Sequence, residues 1–175
     1  MKKPPILVLG AALLFAAPVP AAAATSEPAT GNHCAYLLDR LRPGETASRV
    51  LSQSCGPSRE ETAAALGVAA DTLLLTIYED AGYGGDTVTW YGKYGPCDTA
   101  GYSIRDLETQ NPFLTNMNDK ISSWTAGHSR CNYVNFYEHA VYGGRHQAWH
   151  NWTAVSYVGD YINDRTSSIN VHYEP

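Results

Sequence analysis

An internal duplication constrains this chain more than any other feature. The segments TLLLTIYEDAGYGGDTVTW (72–90) and NYVNFYEHAVYGGRHQAW (132–149) share Y-E-x-A-x-Y-G-G when Tyr78 is aligned with Tyr137. Each copy then reaches a polar phrase, NDKISS at 118–123 and NDRTSS at 163–168. Apolar residues accompany each phrase: Ile121, Trp124 and Ala126 in the first copy, Ile169 and Val171 in the second, with Thr166 in place of Ile121. The copies are offset by 59 residues at Y-E but by 45 at N-D, so the first is 14 residues longer between its signatures. The extra length falls in 92–112, which contains Cys97 and several Gly, Pro and Asn residues and reads as loop.

Both copies open with period-two patterning. Leu73, Leu75 and Ile77 are expected to share a face, as are Val134 and Phe136, with Thr76 and Asn135 opposite. A strand with one apolar face must pack that face on something. Two copies supply two sheets, each covering the other, which predicts a β-sandwich of about 100 residues. Twelve Tyr, four Trp and fifteen Gly suit strands and tight turns.

The first 72 residues are different in kind. Lys2 and Lys3 precede an apolar run from Ile6 to Ala17, and Ala22 and Ala24 stand in an A-x-A arrangement. That layout predicts a secretory signal peptide over 1–24, too short in its apolar run for a membrane span. Loss of two lysines would make the formal net charge of −5 two units more negative. With no basic stripe, a nucleic-acid partner is not expected, nor a membrane one once the signal is removed. Residues 25–72 form a small extension, of which Thr25 to His33 reads as disordered. From Cys34 to Cys55 two apolar pieces flank RPGE, a turn signal, and predict a hairpin. Ser58-Arg-Glu-Glu61 has capping-box spacing and leads into alanines and Gly67, which predicts a helix over 59–66. The remaining unit is 73–175.

Four cysteines, Cys34, Cys55, Cys97 and Cys131, form an even set in a chain read as exported, which predicts two disulfides. Of three possible connectivities, Cys34–Cys55 with Cys97–Cys131 is expected, because each pair then staples one region. There is no C-x-x-C spacing to suggest a cysteine metal site.

Tyr78-x4-Tyr83-x-Gly85 and Tyr137-x4-Tyr142-x-Gly144, each followed by its N-D-x-x-S/T-S phrase, resemble the Greek-key signature and calcium motif of the βγ-crystallin superfamily. The likeness covers roughly Leu73 to Pro175 and is to the microbial, secreted, calcium-binding type with two Greek-key motifs. It implies an all-β fold: a double Greek-key β-sandwich with a small disulfide-tied N-terminal extension containing one short helix. It further implies two Ca2+ sites built by exchange between the loops. One site would take the Lys120 carbonyl, Ser122 and Asp164, with the Glu138 carbonyl. The other would take the Arg165 carbonyl, Ser167 and Asp119, with the Glu79 carbonyl. The donor types suit the ion independently of any likeness, since calcium takes six to eight hard oxygens from carboxylates, carbonyls, hydroxyls and water. Lys120 and Arg165 depart from that logic by placing positive charge beside the ion.

An enzyme is not expected. The six histidines accompany no G-x-S-x-G elbow and no H-E-x-x-H. His146 and His150 share a strand face rather than a zinc-binding helix face. Two other binding readings stand beside the calcium module. One is a secreted metalloproteinase inhibitor on the same fold, presenting loop 92–112. The other is a cell-wall or glycan binding protein using Tyr91, Tyr94, Trp149, Trp152 and Tyr157. Asn151-Trp-Thr153 also matches a glycosylation acceptor. A monomeric, secreted, extracellular protein is expected.

Overall fold

The computed structural model describes residues 32–68, 71–109 and 117–175. The predicted signal peptide and residues 25–31 of the extension lie outside them.

The duplicated segments fold as antiparallel hairpins. In the first copy β3 (Thr72–Tyr78) pairs with β4 (Thr87–Gly92), and in the second β7 (Tyr133–His139) pairs with β8 (Gly143–His150). The fourth strand of each copy returns beside the first: β6 (Ser123–Ala126) beside β3, and β10 (Ser168–His172) beside β7. The third strand of each crosses over. β5 (Tyr102–Ile104), from the first copy, joins the second copy's sheet on β10, while β9 (Ala154–Val155), from the second, joins the first copy's sheet on β6. The sheets are therefore not one per copy, as the repeat alone suggests. Each Greek key donates a strand to the other, so neither sheet is complete without both. The reading of 92–112 as loop is corrected by β5. Tyr102 and Ile104 are fully buried, but three residues are too short to show a period.

Between the sheets Val134, Phe136, Ile169 and Val171 face Leu75, Ile77, Val88, Trp90 and Trp124, all buried. Trp124, Phe136 and Trp149 form a ring cluster across the interface, with centroids 5.2 to 6.4 Å apart. Such pairs add about 0.5–1.5 kcal/mol beyond their area burial. Leu73 is not on this face. A bulge between Leu73 and Leu75 sets Leu73 opposite Tyr91, and Leu74 enters the core instead.

The extension is woven into the first sheet. β1 (His33–Leu38) and β2 (Val50–Gly56) form the predicted hairpin, with Cys34 directly opposite Cys55 and bonded to it. β1 then pairs parallel with β4, giving a six-stranded sheet in the order β2-β1-β4-β3-β6-β9. His33 is therefore a strand residue. Asn32 accepts from the Thr87 amide and donates its own amide to Asp86. The loop between β1 and β2 reaches the second sheet, where the Ser48 amide donates to Ser103 and the Ser103 amide to Ser48 Oγ. That contact covers the otherwise open edge of β5. Buried Asp39 anchors the loop, accepting from the Arg40 amide and the Arg42 and Arg49 guanidinium groups. These bonds, Arg49 foremost, hold its carboxyl below its usual range.

Helix α1 (Arg59–Leu66) begins at Ser58, whose side chain accepts from the Glu61 amide, and ends at Gly67 in the left-handed region. Both signals act as predicted. Thr62 Oγ1 donates to the His33 carbonyl and ties the helix to β1. The second disulfide joins Cys97 to Cys131, so both pairings are the expected ones.

Candidate metal centre

Each repeat signature builds a folded hairpin with the same bonds. Glycines at 85 and 144 take φ of +73° and +76°. A Cβ at Gly85 would lie 2.9 Å from Asp80 Oδ2, and at Gly144 2.8 Å from His139 Cδ2. Only glycine combines that φ with that closeness. Tyr83 stands edge-on to Tyr78 at 5.5 Å, and Tyr142 to Tyr137 at 5.6 Å. The hairpins are fastened by the last serine of each polar phrase. Ser123 Oγ donates to the Asp80 carbonyl (2.6 Å) and accepts from the Tyr83 amide (3.1 Å). Ser168 Oγ does the same with His139 (2.7 Å) and Tyr142 (3.0 Å). Sequence reasoning assigned neither serine a role. The available signal was that both phrases end in two serines where a ligand needs only one.

The two polar phrases lie against each other and exchange backbone bonds. The Asp119 amide donates to the Thr166 carbonyl (3.1 Å), and the Asp164 amide to the Ile121 carbonyl (3.3 Å). Both aspartates are left-handed, with φ of 55° and 53°, a conformation Asp tolerates better than most residues. Asn118 and Asn163 each donate to the following carboxylate, at 3.0 and 2.7 Å. Ser122 and Ser167 are held by their amides on the Tyr78 and Tyr137 carbonyls. Ser167 Oγ meets Asp119 Oδ1 at 3.2 Å across the loops.

Strand return decides which glutamate neighbours which serine. Each fourth strand returns beside the first strand of its own copy, so Ser122 sits next to Tyr78 and Glu79, and Ser167 next to Tyr137 and Glu138. Backbone proximity thus groups Glu79 with Ser122 and Glu138 with Ser167 rather than crosswise. A cavity of about 240 Å³ lined by Asp119, Glu138, His139, Asp164 and Arg165 lies where the two loops meet.

The charges around the two sets differ. Lys120 Nζ lies 3.7 Å from Glu79 Oε1. Glu138 is engaged by Arg145, whose amide and guanidinium donate to Oε2 and hold its carboxyl below its usual range. Among the described residues no three His, Cys, Asp or Glu side chains cluster to hold a metal. An ion here would depend on carbonyls, hydroxyls and water as well as one carboxylate. The donors named from the two polar phrases are all hard oxygens, and Asn163 Oδ1 is buried in the second loop without a hydrogen-bond partner. Such a set fits a calcium-type cation and not a soft metal.

Of the aromatics considered for sugar stacking, Trp149 belongs to the core and Tyr91 is half-buried, while Tyr94, Trp152 and Tyr157 are exposed. The 92–112 segment considered for protease inhibition gives Cys97, Tyr102, Ile104 and Leu107 to the core.

The topology defines a domain of two Greek keys with exchanged third strands. Solved structures similar to it are βγ-crystallin domains. One from Flavobacterium johnsoniae is 23% identical, with 58% of this chain and 96% of that one covered at a TM-score of 0.43. One from Clostridium beijerinckii is 21% identical, covering 57% and 97% at 0.39. A βγ-crystallin from an archaeon is 22% identical, covering 57% and 98% at 0.40. No protein-family model matches the chain, and no curated protein does.

Proposed function

We propose that this protein is a secreted calcium-binding module, not an enzyme, that holds two Ca2+ ions between its crossed polar loops. The observation that carries the reading is the Ser167–Asp119 contact across the loops, set in a backbone exchange that each loop makes with the other. Ser167 offers a lone pair once its proton turns away from Asp119, and Asp119 supplies the negative charge. The carbonyls of Arg165 and Glu138 would add two neutral oxygens, and water would complete the shell. The equivalent set is Ser122, Asp164, Lys120 and Glu79. Calcium supplies the charge that lets these oxygens converge without repulsion.

With about one carboxylate per ion, the affinity expected is about 10–100 µM, between the ranges of cytosolic sensors and of the weaker extracellular modules. At roughly 1 mM calcium each site would stabilise the fold by about 1.4–2.7 kcal/mol. An exported setting is supported by the two disulfides, which persist in oxidising compartments. Thermal melts with and without 1 mM calcium test the reading. The melting temperature rises in the native protein and stays level in Ser122→Arg plus Ser167→Arg. A native protein whose melt ignores calcium would refute it.

A further inference from the structure

The outer face of the second sheet carries a feature that the calcium reading does not use. Strand register sets its side chains in three rows. In one row His172, Tyr133 and His150 lie side by side on β10, β7 and β8. Their rings are 4.6 Å (Tyr133–His172) and 5.6 Å (Tyr133–His150) apart. In another row Tyr137 stacks on His146 at 5.6 Å. The row between them is low and polar: Asn170, Asn135 and Ala148. Tyr133 and Tyr137 are four residues apart on one strand, so the two aromatic rows stand about 13–14 Å apart. That leaves a trough about one sugar ring wide between ring walls. At its β5 end Tyr142 donates to the Thr46 carbonyl and packs on Tyr137, so the extension's loop closes that side.

The floor of the trough is unevenly satisfied. Asn170 is fixed, donating to Ser103 Oγ at 2.7 Å and meeting His172 Nδ1 at 3.1 Å. Asn135 is 8% exposed as a residue, its side-chain amide makes no hydrogen bond to a described residue, and the amide atoms are not sealed from solvent. An amide with two donors and an acceptor that meet only water can exchange those bonds for the hydroxyls of a ligand. It sits at the centre of the face, between the ring walls. No Lys, Arg, Asp or Glu stands in the three rows; Glu174 only reaches His150 from the end, at 3.7 Å. Burial lowers the pKa of His172 below 6.5, which favours its uncharged form near neutral pH. The face therefore suits a neutral ligand with apolar C–H surfaces for the rings and paired hydroxyls for the amide. We propose that this trough is a binding site for a neutral glycan chain, with Asn135 as the central hydrogen-bonding residue and Tyr133, His150, Tyr137 and His146 as stacking walls.

Affinity electrophoresis and pull-down on cellulose, chitin, xylan and β-1,3-glucan test this with the intact protein at 1 mM calcium. At least one of these polymers should retain it. Asn135→Ala and His150→Ala should each weaken retention by about tenfold, and Trp152→Ala, on an exposed loop elsewhere, should leave it unchanged. His150 is exposed, so its variant keeps the fold even if a change at Asn135 disturbs the sheet. No retention on any of the four polymers, or retention that survives His150→Ala, or retention lost only in Trp152→Ala, would overturn the proposal. Capture of a protein instead of a polymer would do the same.

Discussion

The two Greek keys share a hydrogen-bond scaffold and differ in what surrounds it. Ser123 and Ser168 pin their hairpins alike, Asp119 and Asp164 reach across alike, and Ser122 and Ser167 hang from equivalent carbonyls. The environments are not alike. Buried Ile121 in the first loop corresponds to Thr166 in the second, whose Oγ1 is buried without a partner. Lys120 is paired with the glutamate of its own set, whereas Glu138 is occupied by Arg145, outside the loops. The repeat thus preserves what shapes the two loops and lets vary what sets their charge and their stability. Charge disfavours the second set, which has Arg145 and Arg165 nearby, but the preformed Ser167–Asp119 contact across the loops has no counterpart at Ser122 among the described residues and should make the second site the tighter one.

Substitutions in matched pairs can break or sharpen that comparison. Gly85→Ala and Gly144→Ala should have the largest effects, each about 2 kcal/mol or more in denaturant unfolding, because Ala must take positive φ against a close neighbour. Similar losses would support equivalent hairpins; a loss at one only would break the equivalence. Ser123→Ala and Ser168→Ala come next, at about 1–2 kcal/mol each, since a carbonyl and an amide both lose their partner. Thr166→Val should stabilise by about 1 kcal/mol by removing a buried hydroxyl that bonds nothing, and Ile121→Thr should destabilise by at least as much. Neutral results for both would mean that the loops' interiors are alike after all. Lys120→Ala should be smallest. The ammonium is half exposed and screened, so calcium affinity at the first site should rise only about two- to fivefold. A larger change at the second site would reverse the order of the sites.

Much of this architecture can be read in the letters of the chain. The duplicated tyrosines and glycines mark both hairpins, Val134 and Phe136 mark the core face, and Ser58 and Gly67 mark the helix ends. These are local signals, acting over a few residues. The rest depends on partners far along the chain. Nothing near Cys34 announces that β1 pairs parallel with β4, because a parallel partner is set by register and not by a turn. Tyr102–Ile104 is too short to show a period, and so the strand exchange that it begins was hidden. Leu73 obeys the alternation on paper, but one bulged residue turns it to the other face. At the site, residue types pointed to oxygen donors, but which glutamate accompanies which serine depends on how each Greek key closes. The last serines could not be told from ligands until the hairpins they pin were in view.

Calorimetric titration of the calcium-free protein with calcium tests the central claim most directly. The account predicts two ions per chain, both in the range of about 10–100 µM, with Ser167→Arg removing the tighter site and Ser122→Arg the weaker. Absence of binding heat at millimolar calcium, together with a melting temperature unmoved by the ion, would contradict it.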